Sequence, residues 1–271
     1  MKIIDIDKLF DEYISNYVYA NIGKVKPEEI ENQMPVLYGE FGDKPLKELD
    51  GKTPNTYYKE YTVSQLLTAL KEHLEKGVSV SDFLCEAITG ADGADKAIYN
   101  ELCQENGEEF ILYLLNFLND IGSDIASARY LELILWDYSE TIRELATELS
   151  YKFADKEKES ILSAYKDADE TRRACLVDIL SHASFDDRIF TILLDEFIKH
   201  PDNVPLHAGY LAKYGDDRAL PFLKTAIENE KISYVDFEEL RFAIEALGGE
   251  YKKPRDFSND KSFKKIKTIK K

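Results

Sequence analysis

The chain has 271 residues, of which 44% are hydrophobic and 32% charged, so it holds ample apolar material for a core and is not intrinsically disordered. Its 52 acidic against 35 basic residues give a formal charge of −17, which argues against a dedicated nucleic-acid-binding body, because affinity for phosphate comes mainly from Lys and Arg replacing counterions. The first residues, MKIIDIDKLF, carry Asp5 and Asp7 where a secretory leader would be apolar, and the longest apolar stretch, Phe110 to Leu118, is half a membrane span. Cys85, Cys103 and Cys175 are odd in number, far apart and set among apolar neighbours, so they read as free, structural thiols in a cytoplasmic protein.

In chain order, Asp5 to Tyr19 reads as a helix with Leu9, Phe10, Tyr13, Ile14 and Tyr17 on one side. Pro27, followed by Glu28 and Glu29, reads as a second helix start, and Pro35 is expected to break or kink that helix near Met34. Leu49 to Pro54 reads as a turn. Within it Gly51-Lys52-Thr53 invites comparison with a phosphate loop, but the position five residues earlier is Leu46 rather than Gly, and Pro54 removes an amide where the next helix should offer one. These residues form a helical N-terminal module, 1–61.

From residue 62 the apolar period is helical throughout. Leu66, Leu67, Leu70 and Leu74 make one stripe before Gly77; Phe110, Leu114, Phe117 and Leu118 make another. Further stripes run through Leu131 and Leu135, through Ile142, Leu145 and Leu149, and through Leu176, Ile179 and Leu180, with turn residues between them. The class is all-α. An internal repeat strengthens this: Phe185-Asp186-Asp187-Arg188 recurs as Gly215-Asp216-Asp217-Arg218, and the apolar positions that follow stay in phase. First helices are expected near Gly107, Tyr138, Glu170, Asn203 and Val235, and second helices near Ser123, Asp155, Asp186 and Asp216. That period, with two helices per unit, means stacked hairpins.

The stretch Tyr214-Gly215-Asp216-Asp217-Arg218-Ala219-Leu220-Pro221-Phe222-Leu223 resembles the short HEAT-like repeats of bacterial and phycobilin-lyase-type proteins. In those, a Gly-Asp turn is followed by Arg-Ala opening a second helix. Thr171-Arg172-Arg173-Ala174 and Thr141-Ile142-Arg143 are similar to the first helix of such a unit. The resemblance covers about residues 107–247. It implies a right-handed α-α superhelix, here spanning 62–250, and a binding role, without fixing a partner or a reaction.

Residues 251–271 form a basic tail with nine Lys or Arg and two Asp, a net +7, which leaves −24 on residues 1–250. The tail reads foremost as a flexible extension; it could also form a basic amphipathic turn with Phe263, Ile266 and Ile269, or fold back on the acidic body. Acidity is densest over residues 77–151, with fifteen acidic and three basic residues. There Glu140, Glu144 and Glu148 fall at i, i+4 and i+8, and Asp120 and Asp124 add to the region, making these five the candidate partner-binding residues.

Asp186, Asp187, Arg188, Asp216, Asp217 and Arg218 read as structural repeat positions, the Asp capping a second helix and the Arg bridging neighbouring units. His73, His182, His200 and His207 are scattered without metal-ligand spacing and read as surface or helix-end residues. No nucleophile constellation is visible. The chain therefore reads as a non-enzymatic, monomeric protein–protein interaction or scaffold module with no cofactor or metal, which uses the inner groove or the acidic face of the solenoid to bind a basic or extended partner. Two alternatives stand beside it, a nucleic-acid-associated protein acting through the tail, and an enzyme of lyase or glycosylase type on the same fold.

Overall fold

A computed structural model describes residues 1–22 and 26–269. Lys270 and Lys271 of the basic tail lie outside the described residues, as does the side chain of Ile269. Among the described residues the chain forms sixteen α-helices and no strand, so the fold is all-α. No helix among them is long and apolar enough to cross a membrane. The chain divides into two compact units, Met1–Arg129 and Tyr130–Lys271.

The first unit contains α1 (Ile6–Ala20), α2 (Pro27–Gly42), α3 (Pro54–Tyr57), α4 (Val63–Glu75), α5 (Asp82–Thr89), α6 (Ala94–Leu102) and α7 (Glu108–Ile121). Asp5 caps α1 by accepting the Lys8 N–H at 2.9 Å. The helix α2 runs through Pro35 to Gly42, so of the break or kink expected near Met34 the break does not occur. Phe41, in the turn beyond Pro35, is 1% exposed and packs on Phe10 and Phe83, and this tertiary burial outweighs the lost backbone hydrogen bond.

The Leu49–Pro54 turn closes on itself. The Leu46 N–H donates to the Lys52 carbonyl and the Gly51 N–H to the Leu46 carbonyl, both at 2.9 Å, so these amides are not open to a phosphate. Asp50 and Gly51 take the left-handed backbone that this reversal needs, with φ of 55° and 82°.

Thr62 and Gln65 form a capping box on α4, whose Leu66, Leu67 and Leu70 are buried. The unit's core runs across residue 61. Tyr38 of α2 stacks on Phe83 of α5 at 5.0 Å, and the buried His73 of α4 bonds the Ile4 carbonyl at 3.2 Å. Residues 1–61, expected as a helical N-terminal module, thus pack against α4 and α5.

The second unit takes in the end of α8 (Ser127–Leu135), then α9 (Glu140–Ser150), α10 (Lys158–Tyr165), α11 (Glu170–Leu180), α12 (Asp187–Lys199), α13 (Val204–Tyr214), α14 (Leu220–Ile227), α15 (Tyr234–Ala246) and α16 (Lys261–Ile269). Polar caps start most of them. Ser139, Asp169, Asp186 and Ser233 each accept a backbone N–H from the first turn of the following helix. Neighbours pack in succession, α9 and α10 against α11, α11 on α12, α12 on α13, and α13 and α14 on α15. Leu176, Ile179, Ile189, Leu193, Leu211, Leu223, Ile227, Leu240 and Ile244 fill the interior.

Gly215 ends α13 with φ of 79°, and Ala there is expected to destabilise by about 1–2 kcal/mol, because open space around the Cβ removes every cost except the backbone one. A urea midpoint unchanged by Gly215→Ala would contradict the helix-ending geometry.

The described part of the tail lies along α15 instead of leaving the body as an extension. Phe257 packs on Phe237 at 5.0 Å and on Tyr234 at 5.3 Å, and Phe263 meets Tyr234 at 4.9 Å. Arg255 sits over the Phe237 ring and donates to the carbonyls of Ile227 and Asn229, both at 2.8 Å, while Lys253 pairs with Glu228 at 2.7 Å. Cations at the end of α14 meet the negative end of its dipole, which holds the tail in place.

Candidate functional site

The five candidate acidic residues fall on different units. Glu140, Glu144 and Glu148 lie on the exposed face of α9, opposite the buried Ile142, Ala146 and Leu149. None of the three enters an ion pair among the described residues. Glu140, in the first turn, is favoured by the helix dipole, whereas Glu148 near the last turn is disfavoured. Asp120 and Asp124 are exposed around the end of α7, in the first unit. The three glutamates thus share one face of α9 in the second unit, and the two aspartates belong to the first unit.

The two Asp-Asp-Arg motifs sit at the starts of α12 and α14 and form a ladder of ion pairs. Asp186 accepts the Arg188 backbone N–H at 2.9 Å and its guanidinium at 2.7 Å, and Arg188 also grips Glu159 of α10 through two hydrogen bonds of 2.6 and 2.9 Å. Before α14, Asp216 accepts from Arg218 at 2.9 Å, and Arg218 reaches back to Asp187 of α12 at 2.8 Å. Arg218 also lies 4.3 Å over the Phe190 ring. Asp217 is exposed beside them. The guanidinium and amide of Arg188 hold the Asp186 carboxyl down to about 2.

Of the three thiols, Cys103 is exposed at the end of α6 rather than among apolar neighbours. Cys85 is half-buried, and burial followed by the Asp82 charge pushes its thiol up to about 11, away from a reactive thiolate.

At the junction of α12 and α13 the structure gathers Glu196 and Tyr165, which the sequence did not single out, around His200 and His207. His200, the C-cap of α12, and His207, in the second turn of α13, stack with ring centroids 5.1 Å apart and 17° between planes. His200 Nε2 lies 3.3 Å from Glu196, and the Tyr165 hydroxyl donates to Glu196 at 2.6 Å. Glu196 is 6% exposed. Glu196, His200 and His207, with Arg173 and Tyr210, line a cavity of about 440 Å³. Glu170 and Asp202 stand at its exposed margin. Arg173 lies over the Tyr165 ring at 5.3 Å and donates to the Ala168 carbonyl at 2.8 Å.

Burial, with a smaller contribution from the Glu196 bond, raises the Tyr165 hydroxyl above the ordinary tyrosine range; burial also raises Tyr210. Burial lowers the His207 ring, reinforced by His200. Among the described residues no group of three or more His, Cys, Asp or Glu is placed to hold a metal ion, and the two histidines stack instead of converging.

A signal for Glu196 does exist in the sequence. It falls on the buried side of α12 between Leu193 and Phe197, where an acid on an apolar stripe demands a partner.

The sign of the histidine effect gives a pH dependence. Folded His207 and His182 both titrate below their ordinary value of 6.5, so the unfolded chain binds protons first. Their contribution to stability is complete above 6.5 and is lost as the pH falls below it. Urea midpoints measured through this window should decline toward acid pH, and His207→Gln should flatten the decline.

Comparison of the chain with protein-family models, with curated proteins and with solved structures gives no match.

Proposed function

We propose that the protein is a non-enzymatic binding module built from HEAT-like helix pairs, and that the α9 face recruits a basic, extended segment of a partner protein. The observation that carries this reading is the row of Glu140, Glu144 and Glu148, exposed and without ion-pair partners among the described residues. Like charges one helical turn apart cost the free protein a few tenths of a kcal/mol each. A cationic segment laid along the row removes that repulsion on binding, and a field of this sign speeds the encounter.

The repeat reading is supported by where the helices begin. The odd-numbered helices from α7 to α15 start at Glu108, Glu140, Glu170, Val204 and Tyr234, and the even-numbered ones from α8 to α14 at Ser127, Lys158, Asp187 and Leu220. The Arg188 and Arg218 bridges fit the same reading, since each ties one pair to the pair before it.

A fluorescent dodecapeptide of alternating Lys and Gly, titrated with the full chain, tests the proposal. It should bind at low ionic strength and weaken steadily as salt is added. Absence of binding at low salt would overturn the reading.

A further inference from the structure

We propose that the cavity at the α12–α13 junction binds an alkylguanidinium or alkylammonium group, held between Glu196, the stacked His200–His207 pair and the acidic margin of Glu170 and Asp202. None of these residues is on α9, so the site is separate from the face described above.

Four observations converge on a cation. The first is charge. Three carboxylates and one guanidinium line the cavity, and that guanidinium, Arg173, donates through one terminal nitrogen to the Ala168 carbonyl and lies over the Tyr165 ring, while its Nε is buried without a partner. The second is Glu196, a carboxylate 6% exposed whose side chain meets Tyr165 and His200. Neither partner is a permanent cation, and a buried carboxylate is stabilised most by a full positive charge with N–H donors.

The third is His207, which is 9% exposed and lines the cavity, yet its Nδ1 is buried without any hydrogen-bond partner. Burial favours the neutral ring, and in the tautomer with Nδ1 unprotonated that atom is an acceptor waiting for a donor. Ammonium and guanidinium groups carry only donors, which suits the Glu196 carboxylate and an unprotonated His207 Nδ1. The fourth is the aromatic lining. The His200–His207 stack, with Tyr210 edge-on to His207 at 5.9 Å, offers π-faces to a cation, and the buried Val177 and exposed Leu206 give apolar surface to its alkyl stem. A volume of about 440 Å³ falls in the range of small-ligand cavities.

Such a group could arrive as a free amine or as the side chain of a partner's Arg or Lys, and two probes separate the sources. Agmatine, which is a guanidinium on a short alkyl chain, and the capped peptide acetyl-Gly-Gly-Arg-Gly-Gly-amide are titrated into the full chain by calorimetry, with histidine ring resonances followed by NMR. The His207 and His200 resonances should move in step with the heat. Glu196→Gln, which keeps an acceptor for Tyr165, should weaken binding about tenfold. Glu170→Gln, at an exposed position that cannot compromise folding, should weaken it about threefold.

Binding of both probes marks the free group as sufficient; binding of the peptide alone marks a partner's side chain as the source. Glu144→Gln on α9 should leave either titration unchanged, which keeps this site distinguishable from the α9 face. The proposal fails if neither probe moves the histidine resonances, if Glu196→Gln binds as well as the native chain, or if acetate moves those resonances and agmatine does not.

Discussion

Leu211→Ala should cost the second unit about 2–5 kcal/mol, read as a lower urea midpoint by circular dichroism. Leu211 is 1% exposed at the centre of α13, the helix that packs on both α12 and α15. Truncation removes its transfer free energy and leaves a cavity between two helix contacts, neither of which can close the gap without loosening the other. Leu206 on the same helix is 40% exposed, and Leu206→Ala should stay within about 0.5 kcal/mol. A loss below about 1 kcal/mol for Leu211→Ala would mean that α13 is not the packing centre of the unit.

Reversing Glu140, Glu144 and Glu148 together to Lys should weaken the Lys-Gly dodecapeptide about 100-fold or more at low salt. Each exposed pair is worth about 0.2–1 kcal/mol, and reversal converts three attractions into three repulsions. The sum reaches the roughly 2.7 kcal/mol that a 100-fold change requires. The effect should shrink as salt rises, and helicity should be unchanged because all three side chains are exposed. Reversing Glu28, Glu29 and Glu31 of α2 changes the net charge equally. Equal weakening by that control would assign the effect to net charge and remove α9 as the docking face.

Much of the helical layout was legible because it is local. Asp5, Thr62, Asp186 and Ser233 are caps whose partners lie within three residues. Leu66, Leu67 and Leu70 mark a buried stripe, and Gly215 marks a stop that needs no tertiary information. Pro35 marked a break or a kink, and the break is absent because its local cost is smaller than what burying Phe41 returns. The boundary at residue 61 rested on the absence of the repeat period before it, and that absence carries no information about the contact of Tyr38 with Phe83.

The α12–α13 cavity escaped for a related reason. Tyr165 and Glu196 are 31 residues apart, and only the packing of separate helices brings the hydroxyl to the carboxylate. Spacing alone suggested no ligand geometry for His200 and His207, and their stacking depends on the angle at which α13 leaves α12. The tail was ambiguous because Lys-rich composition dominated its reading, while its anchoring comes from Phe257, Phe263 and the two carbonyls under Arg255.

The Asp–Arg ladder constrains more than stability. Arg188 reaches an acid 29 residues earlier, and Arg218 one 31 residues earlier, so the chain between rungs has little freedom in length. An insertion or deletion inside a helix of such a stretch would rotate its arginine away from the acid that receives it, whereas one in the Pro201–Asn203 loop, outside both helices, could be absorbed. The ladder thus acts as a gauge on the gene: substitutions can accumulate between rungs while changes of length are confined to the loops. A sign change at Glu159 or Asp187 would call for a matching change at the arginine it meets.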